Sequence, residues 1–197
     1  MRKFTLGNGL LACCLLAGVS AWGQQTQNQP GPGEDFLDVA IVDQTLKSNV
    51  VGGDTLWMPG GSIQVHSRFW HGLGVVADVA GLHAGSINHS GTGLDIVTAT
   101  FGPRYTWSFR RHRYAVFGQA LFGEANGFNS IFPSSKGAVD SASSAAFYLG
   151  GGINVHLNRH FSVRALEADW LRTQMPNTTT NVQNHMRLGV GLIYRIR

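Results

Sequence analysis

The chain has 197 residues, which is enough for a single domain, and its formal net charge of +4 is modest. Only 13% of the residues are charged, so the sequence gives no sign of the strongly basic surface that binds nucleic acid. The two cysteines, Cys13 and Cys14, are adjacent and lie near the amino terminus. This placement excludes a disulfide framework and a metal site built from several cysteines.

Residues 1–23 have the features of a secretory signal peptide. Arg2 and Lys3 precede an apolar run from Leu10 to Ala21, and small residues follow at the end of the segment. The run is too short to cross a bilayer as a helix. Cleavage removes both cysteines, and without Arg2 and Lys3 the 15 basic residues become 13 against 11 acidic ones. Acylation of Cys13, as in a lipoprotein, is an alternative that fits less well because the apolar run continues beyond it.

The exported chain is predicted to begin with a short disordered tail. Residues 24–34 read QQTQNQPGPGE, which combines polar residues with proline and glycine and offers little to bury. The folded domain is therefore expected to span residues 35–197.

Eight segments of this domain alternate between apolar and polar residues with a period of two, which predicts β-strands. In the last segment, MRLGVGLIYRIR, leucine, valine and tyrosine lie on one face, whereas arginine and glycine dominate the other. The fifth segment has mixed faces that leave its register open. In the seventh, Arg164 and Asp169 have opposite parity, which predicts a β-bulge between them. The segments are 36–44, 61–69, 73–82, 95–107, 113–124, 145–158, 161–172 and 186–197.

The connections between these segments alternate between short and long. An antiparallel up-and-down barrel has this rhythm, because its turns are short at one rim and its loops are long at the other. A sandwich with Greek-key links does not predict it. The short connections are 70–72, 108–112 and 159–160, and the long ones are 45–60, 83–94, 125–144 and 173–185.

Two features indicate that the apolar face meets lipid. The polar face is rich in glycine, and small residues leave room in a narrow lumen for long charged side chains. Aromatic residues cluster near both ends of the strands, as they do at the two interfaces of a membrane. The sequence therefore predicts an all-β fold, an eight-stranded antiparallel up-and-down transmembrane β-barrel. A secreted soluble barrel or sandwich that binds a ligand is the alternative.

The most distinctive stretches are TFGPRYTW, FGQALFG, YLGGGINVHLNRHFSVRALEADWLRT and MRLGVGLIYRI. They resemble the bacterial outer membrane β-barrel domain proteins related to the outer membrane protein A barrel. The resemblance implies an eight-stranded barrel in the outer membrane, surrounded by outer membrane lipids. The last stretch also resembles the signal read by the barrel-assembly machinery, which implies that Gly191, Tyr194 and Ile196 are recognised during insertion.

The polar face of the predicted barrel supplies the candidate functional residues. Charges in a narrow, poorly hydrated lumen need partners, so we expect these residues to form a network of ion pairs that plugs the lumen. A gated polar path through the barrel is the alternative. Alternation assigns Gln64, His66, Arg68, Asp78, Arg104, Asn154, His156 and Arg187 to this face, and Glu124, Arg164, Glu167 and Asp169 are expected to join them.

No arrangement of residues indicates an enzyme, a cofactor or a metal site. A lipid A deacylase would need a histidine and a serine two apart on one strand face, and the one such pair, His160 and Ser162, lies at a short turn. An outer-rim protease would need an Asp–His pair, for which His83, Asp95 and Asp140 are candidates by proximity alone.

We therefore expect a non-enzymatic outer membrane barrel with a structural or surface-interaction role and no nucleic-acid partner. The sequence does not identify its surface partner. A small pore for minor solutes is the first alternative, and a lipid A modifying enzyme is the second.

Overall fold

The computed structural model describes residues 36–49, 55–85, 93–109, 113–134, 137–176 and 181–196. The predicted signal peptide and tail, residues 1–34, lie outside these ranges. Ten strands form in the described part of the chain. They are β1 (Phe36–Asn49), β2 (Thr55–Trp70), β3 (Leu73–Ala84), β4 (Leu94–Phe109), β5 (Tyr114–Phe128), β6 (Phe132–Ser134), β7 (Gly137–Val139), β8 (Ala142–His156), β9 (Phe161–Thr173) and β10 (Gln183–Ile196).

Eight of these strands close into an antiparallel barrel in the order β1-β10-β9-β8-β5-β4-β3-β2. The first strand pairs with the last, so the sheet has no free edge. The two remaining strands, β6 and β7, form a small hairpin between β5 and β8. The predicted eight-stranded antiparallel barrel is thus confirmed. No helix long and apolar enough to cross a membrane occurs among the described residues.

The hydrogen-bonded register fixes the tilt of the strands. From Gln44, pairing through β2 and β3 leads to Ile96 on β4. Pairing the other way, through β10, β9, β8 and β5, leads to Thr106 on the same strand, which is 10 residues further along. This offset is the shear of the barrel, and such a stagger accompanies a strand tilt of about 35–45°.

Two of the predicted long loops are largely strand. The segment 45–60 was expected to be a loop, but β1 continues to Asn49 and β2 begins at Thr55. The segment 125–144 contains the end of β5, the β6–β7 hairpin and the start of β8. The physical reason is that the face pattern reverses at this end of the barrel. Leu46 and Met58 point inward and Lys47 points outward, so the segment does not continue the apolar-outward pattern.

The structure resolves the two irregular segments. In β5, Ala115, Phe117 and Gln119 point inward and Phe122 points outward. In β9, Ala165 and Leu166 are both exposed, and the pairing with both neighbouring strands shifts at this point. The bulge predicted from the opposite parity of Arg164 and Asp169 is confirmed, since it lets both side chains enter the lumen.

The outer surface of the barrel is apolar along most of each strand, whereas many polar side chains are buried inside. In β10, Met186, Val190 and Leu192 are exposed, and Arg187 is 1% exposed. A soluble domain has the opposite arrangement, with polar residues outside and apolar residues inside. The outward face therefore meets lipid.

An arginine on this outward face should impair insertion. Val190→Arg places a charge against the hydrocarbon and should cost about 2–4 kcal/mol of folding free energy in bilayers, measured by urea titration in lipid vesicles. The matched control is Ile131→Arg, because Ile131 is 71% exposed and lies beyond the end of β5. Its effect should be below about 1 kcal/mol. Equal costs for the two changes would contradict the lipid-facing assignment.

Candidate functional site

A cluster of charged and amide side chains occupies the middle of the barrel interior. Three arginines and three carboxylates cancel in formal charge, and two glutamines lie between them. All eight residues are buried, and they come from strands β2, β3, β4, β5, β9 and β10. This central cluster consists of Gln64, Asp78, Arg104, Gln119, Arg164, Glu167, Asp169 and Arg187.

Arg187 is the hub of the ion pairs. Its Nη2 lies 2.6 Å from Asp169 Oδ2, and its Nε donates a second hydrogen bond to the same oxygen at 3.0 Å. Its Nη1 donates to Asp78 Oδ1 at 3.2 Å, and Nη2 lies 3.5 Å from Glu167 Oε1. One guanidinium from the last strand thereby links β10 to β3 and β9 across the lumen.

The two glutamines connect the remaining charges. Gln64 Nε2 donates to Asp78 Oδ2 at 2.7 Å and to Glu167 Oε1 at 2.9 Å. Its carbonyl oxygen accepts hydrogen bonds from Arg104 and Arg164. Gln119 Nε2 donates to Glu167 Oε1 at 2.8 Å. An amide can do this because it carries donors on nitrogen and an acceptor on oxygen, so it joins groups of opposite charge.

Arg104 and Arg164 are bound differently, although both are buried. Arg164 Nη1 donates to Glu167 Oε2 at 2.8 Å, and its Nε donates to Asn154 at 3.1 Å. Arg104 donates its hydrogen bonds to two amides, those of Gln64 and Gln119. Arg104 therefore depends on neutral acceptors for its direct contacts, whereas Arg164 has an ionic partner.

Aromatic rings complete the environment of the guanidiniums. The Cζ atoms of Arg104 and Arg164 lie 4.3 and 4.7 Å from the ring centre of Phe117. Arg187 lies 4.4 Å from the ring centre of Tyr148, whose hydroxyl is 3.0 Å from Thr98 Oγ1. These distances are within the range of cation–π attraction.

The triple glycine of β8 makes room for this arrangement. A Cβ atom on Gly150 would lie 2.2 Å from Asp169 Oδ1, and one on Gly152 would lie 2.8 Å from the ring of Phe117. Either side chain would push a member of the central cluster or its aromatic support out of place. These glycines therefore support the site because they carry no side chain that would displace its members.

A second, smaller polar group lies toward the short turns. Arg195 Nε donates to Asp38 Oδ1 at 2.9 Å, and His66 Nδ1 lies 3.9 Å from Asp38 Oδ2. On the neighbouring strands β8 and β9, His156 Nδ1 and Ser162 Oγ are 2.7 Å apart. Asp38 and Arg195 were not singled out from the sequence. Their inward parity, set by the alternation of β1 and β10, is the signal that could have found them.

A layer of buried apolar side chains lies in the lumen at the opposite end, toward the long connections. Sequence reasoning assigned the lumen to polar residues and missed this layer. Phe132 of the small hairpin and Met175, which follows β9, are both buried in it. The layer, hereafter the apolar cap, consists of Leu46, Met58, Leu82, Ala84, Ile96, Leu121, Ala125, Phe132, Ala146, Tyr148, Leu171 and Met175, and the same apolar cluster also includes Val76, closer to the short turns.

Two further predicted lumen residues lie away from the centre of this arrangement. Arg68 is half-buried and lies one inward position closer to the short turns than His66. Glu124 is exposed and faces outward, opposite Ala99 and Ala145. The expectation that Glu124 joins the lumen face is therefore wrong, because β5 places its neighbours Gly123 and Ala125 inward.

The candidate catalytic pairs are only partly brought together. Ser162 is buried and contacts His156, whereas His160 is exposed and stacks on Tyr194. At the outer rim, His83 Nδ1 contacts a carboxylate oxygen of Asp95. Within the described ranges, no group of three or more His, Cys, Asp and Glu side chains is arranged to hold a metal ion.

Comparison with known proteins identifies the family. A family model described as "Outer membrane protein beta-barrel domain" matches residues 10–195, which is nearly the whole chain. The chain belongs to this family. Its apolar exterior lies in the bacterial outer membrane. Barrels of this kind have short periplasmic turns and longer extracellular loops. No curated protein matches the sequence.

Solved structures share the fold at low sequence identity. Ail, the attachment invasion locus protein of Yersinia pestis, was solved with the heparin analogue sucrose octasulfate. It is 17% identical, with a TM-score of 0.52 over 84% of this chain and 100% of Ail. Neisserial surface protein A is 11% identical, with a TM-score of 0.57 over 84% and 99% of the two chains. OprG of Pseudomonas aeruginosa is 10% identical, with a TM-score of 0.50 over 86% and 99%.

The contacts predict different costs for removing two buried arginines. Arg187→Ala leaves Asp78 and Asp169 without their cation and should destabilise the barrel by about 3–5 kcal/mol. Arg104→Ala removes hydrogen bonds to amides and should cost about 1–3 kcal/mol. Urea-induced unfolding in lipid vesicles measures both. A larger loss for Arg104→Ala than for Arg187→Ala would show that the ion pairs do not dominate the central cluster.

Proposed function

We propose that this protein is a non-enzymatic outer membrane barrel with a structural or surface-interaction role and a lumen closed to the free flow of solutes. The observation that carries the proposal is the central cluster, in which Arg187 bridges carboxylates on opposite sides of the lumen. An eight-stranded barrel has an interior just wide enough for side chains to fill.

Two layers of different chemistry support a closed lumen. A solute crossing the central cluster would have to separate ion pairs whose members are almost inaccessible, which leaves buried charges uncompensated. A polar solute would next have to cross the apolar cap, where Leu46, Leu121 and Leu171 are fully buried and offer it no hydrogen bond. The apolar cap opposes the polar solutes that the central cluster would admit more readily, and the central cluster opposes the apolar solutes that the apolar cap would admit more readily.

The extracellular end of the barrel supports a surface role. The β6–β7 hairpin rises between β5 and β8 and buries Phe132 in the apolar cap, while Ile131 and Val139 stay exposed. These exposed apolar side chains offer a partner apolar surface that binding would remove from water. Attachment is part of the name of Ail, which shares the fold but only 17% of its residues, so the likeness adds no partner for this chain.

We also propose that the end of β10 is recognised by the barrel-assembly machinery and that outer membrane lipids surround the folded barrel. Tyr194 and Ile196 are exposed on the outward face, where a recognising protein could reach them before lipid does. Gly191 lies on the inward face, where a Cβ atom would approach the carbonyl oxygen of Ile41 to 2.5 Å. Close pairing of β10 with β1, which completes the barrel, therefore favours glycine here.

One observation favours the alternative of a narrow pore. Gln44 Nε2, Ser62 Oγ and Thr100 Oγ1 are buried and have no hydrogen-bond partner among the described residues. They lie on β1, β2 and β4, along one side of the lumen. Buried polar groups of this kind usually bind water, and a file of water could conduct small solutes.

Conductance separates the two candidates. Purified wild-type protein in a planar bilayer should give no steady current, only rare and small openings, because the central cluster and the apolar cap both obstruct the lumen. Arg187→Ala should open more often than the wild type, since it loosens the central cluster. Phe132→Ala, which alters only the apolar cap, is the matched comparison. A large, stable, ohmic current from the wild-type monomer would overturn the closed lumen and favour the pore.

Cysteine labelling tests which end is extracellular. The only cysteines lie in the predicted signal peptide, so an introduced cysteine is the sole target after cleavage. Val139→Cys on the β6–β7 hairpin should react with a membrane-impermeant maleimide on intact cells, because this side chain is exposed. Arg159→Cys, exposed at a short turn, should react only after the outer membrane is permeabilised. The reverse pattern would mean that the barrel is inverted.

A further inference from the structure

Charged and histidine side chains are scarce on the outward face of the barrel strands and are concentrated at one end. Five of the six that the described strands contain lie within five residues of the strand end that leads into a long connection. The sixth, Asp43, lies on β1 below Lys47. The five are Lys47, His83, Asp95, Glu124 and Arg172. They mark the level at which the outward face leaves the hydrocarbon of the outer leaflet.

Among these five residues, the two signs of charge occupy different sides of the barrel, whereas the deeper Asp43 shares β1 with Lys47. Lys47 on β1 and Arg172 on β9 flank β10, which lies between them in the sheet. Asp95 and Glu124 lie on β4 and β5, on the other side. At the level of the outer headgroups, the barrel therefore presents a basic sector and an acidic sector.

The register places the two cations close together. Lys47 pairs with Met186, which pairs with Trp170, and Arg172 lies two residues beyond Trp170 beside Asn184. Two strand spacings and two residue steps separate the Cα atoms by roughly 12 Å. Long flexible side chains can bring both cationic groups to one ligand that carries two anionic groups, or to two neighbouring ligands.

Aromatic side chains lie beside Lys47 and Arg172 on the outward face. Lys47 Nζ lies 5.6 Å from the ring centre of Trp57, which is 52% exposed on the outward face. On the other side, Trp170 is exposed and makes an edge contact with Phe147, with ring centres 6.2 Å apart. Tryptophan at this depth anchors the barrel at the interface, where it contacts both acyl chains and headgroups.

We propose that this basic sector, formed by Lys47 and Arg172 with Trp57 and Trp170, binds the phosphate groups of the phosphorylated glycolipid in the outer leaflet. Charge complementarity and depth identify the occupant. The sector faces the membrane and not the extracellular solution, its cations lie at headgroup level, and guanidinium and ammonium groups bind phosphate oxygens strongly. Asp43, four residues before Lys47 on the same face, lies deeper and repels a phosphate that approaches it.

The test compares lipid A carrying both phosphates with the same lipid after enzymatic removal of the phosphates. Full-length wild-type barrel is placed in phosphatidylcholine discs with EDTA, and retained lipid A is counted by native mass spectrometry. Wild type should retain the phosphorylated form in preference. The double variant Lys47→Gln/Arg172→Gln should retain it about 30-fold less tightly, the effect of removing two interfacial cations.

Three further variants make the result specific. Arg113→Gln/Arg159→Gln removes two exposed arginines at the short-turn end and should bind like wild type. Lys47→Arg/Arg172→Lys keeps both charges and should stay within about threefold of wild type, because a point charge and a fork both bind phosphate. Asp43→Asn should bind as well as wild type or better. Resistance of the unheated barrel to unfolding in detergent confirms that each variant is folded.

The proposal is overturned by any of three results. The first is equal retention of both forms of lipid A by the wild type. The second is binding of phosphorylated lipid A by the Lys47→Gln/Arg172→Gln variant that equals wild type. The third is a loss of lipid A binding in the Arg113→Gln/Arg159→Gln control as large as that in the Lys47→Gln/Arg172→Gln variant. None of these results bears on whether the lumen conducts, so the site and the closed lumen are tested independently.

Discussion

The central constraint on this barrel is that a charge in its interior, at membrane depth, has little but other protein groups to solvate it. Arg187 meets this constraint with carboxylates on β3 and β9, and Arg164 meets it with Glu167. The cost of an unpaired buried charge then fixes the surrounding backbone, because the partners reach one another only if β9 bulges and β8 is glycine. Closure of the sheet and placement of the charges are thus both needed to give each buried charge a partner.

The barrel strands are longer than the roughly 9–11 residues that a tilted strand needs to cross the hydrocarbon, and this explains the second layer of the interior. Where the outward face leaves the hydrocarbon, Lys47 and Arg172 appear outside, and the inward positions become apolar. The part of the barrel beyond the hydrocarbon is surrounded by water and headgroups, so it folds around an apolar core as a soluble domain does. Phe132, at the start of the β6–β7 hairpin, is buried in this core.

The sequence predicted the faces of most strands because alternation is a local property. The parity of Arg164 and Asp169 even predicted the bulge in β9, since both charges have to enter the lumen. Depth along the barrel axis could not be read in this way. Depth depends on the shear of the barrel, which the sequence does not contain. The apolar face also reverses in residues 45–60, so this segment is predicted to be a loop. The choice of Gln64 and Gln119 as partners of Arg104 also required the structure, because an amide has no preferred partner in a sequence pattern.

These two layers bear on where the protein can act. Every ionic partner of Arg187 in the central cluster lies within the same barrel, so these charges are satisfied without a ligand. The exposed apolar residues of the hairpin and the outward cations Lys47 and Arg172 are not explained in this way. A side chain whose exposure costs free energy is one that a binding partner can cover. We therefore expect function at the rim of the long connections and in the lipid that surrounds it, and not in the lumen.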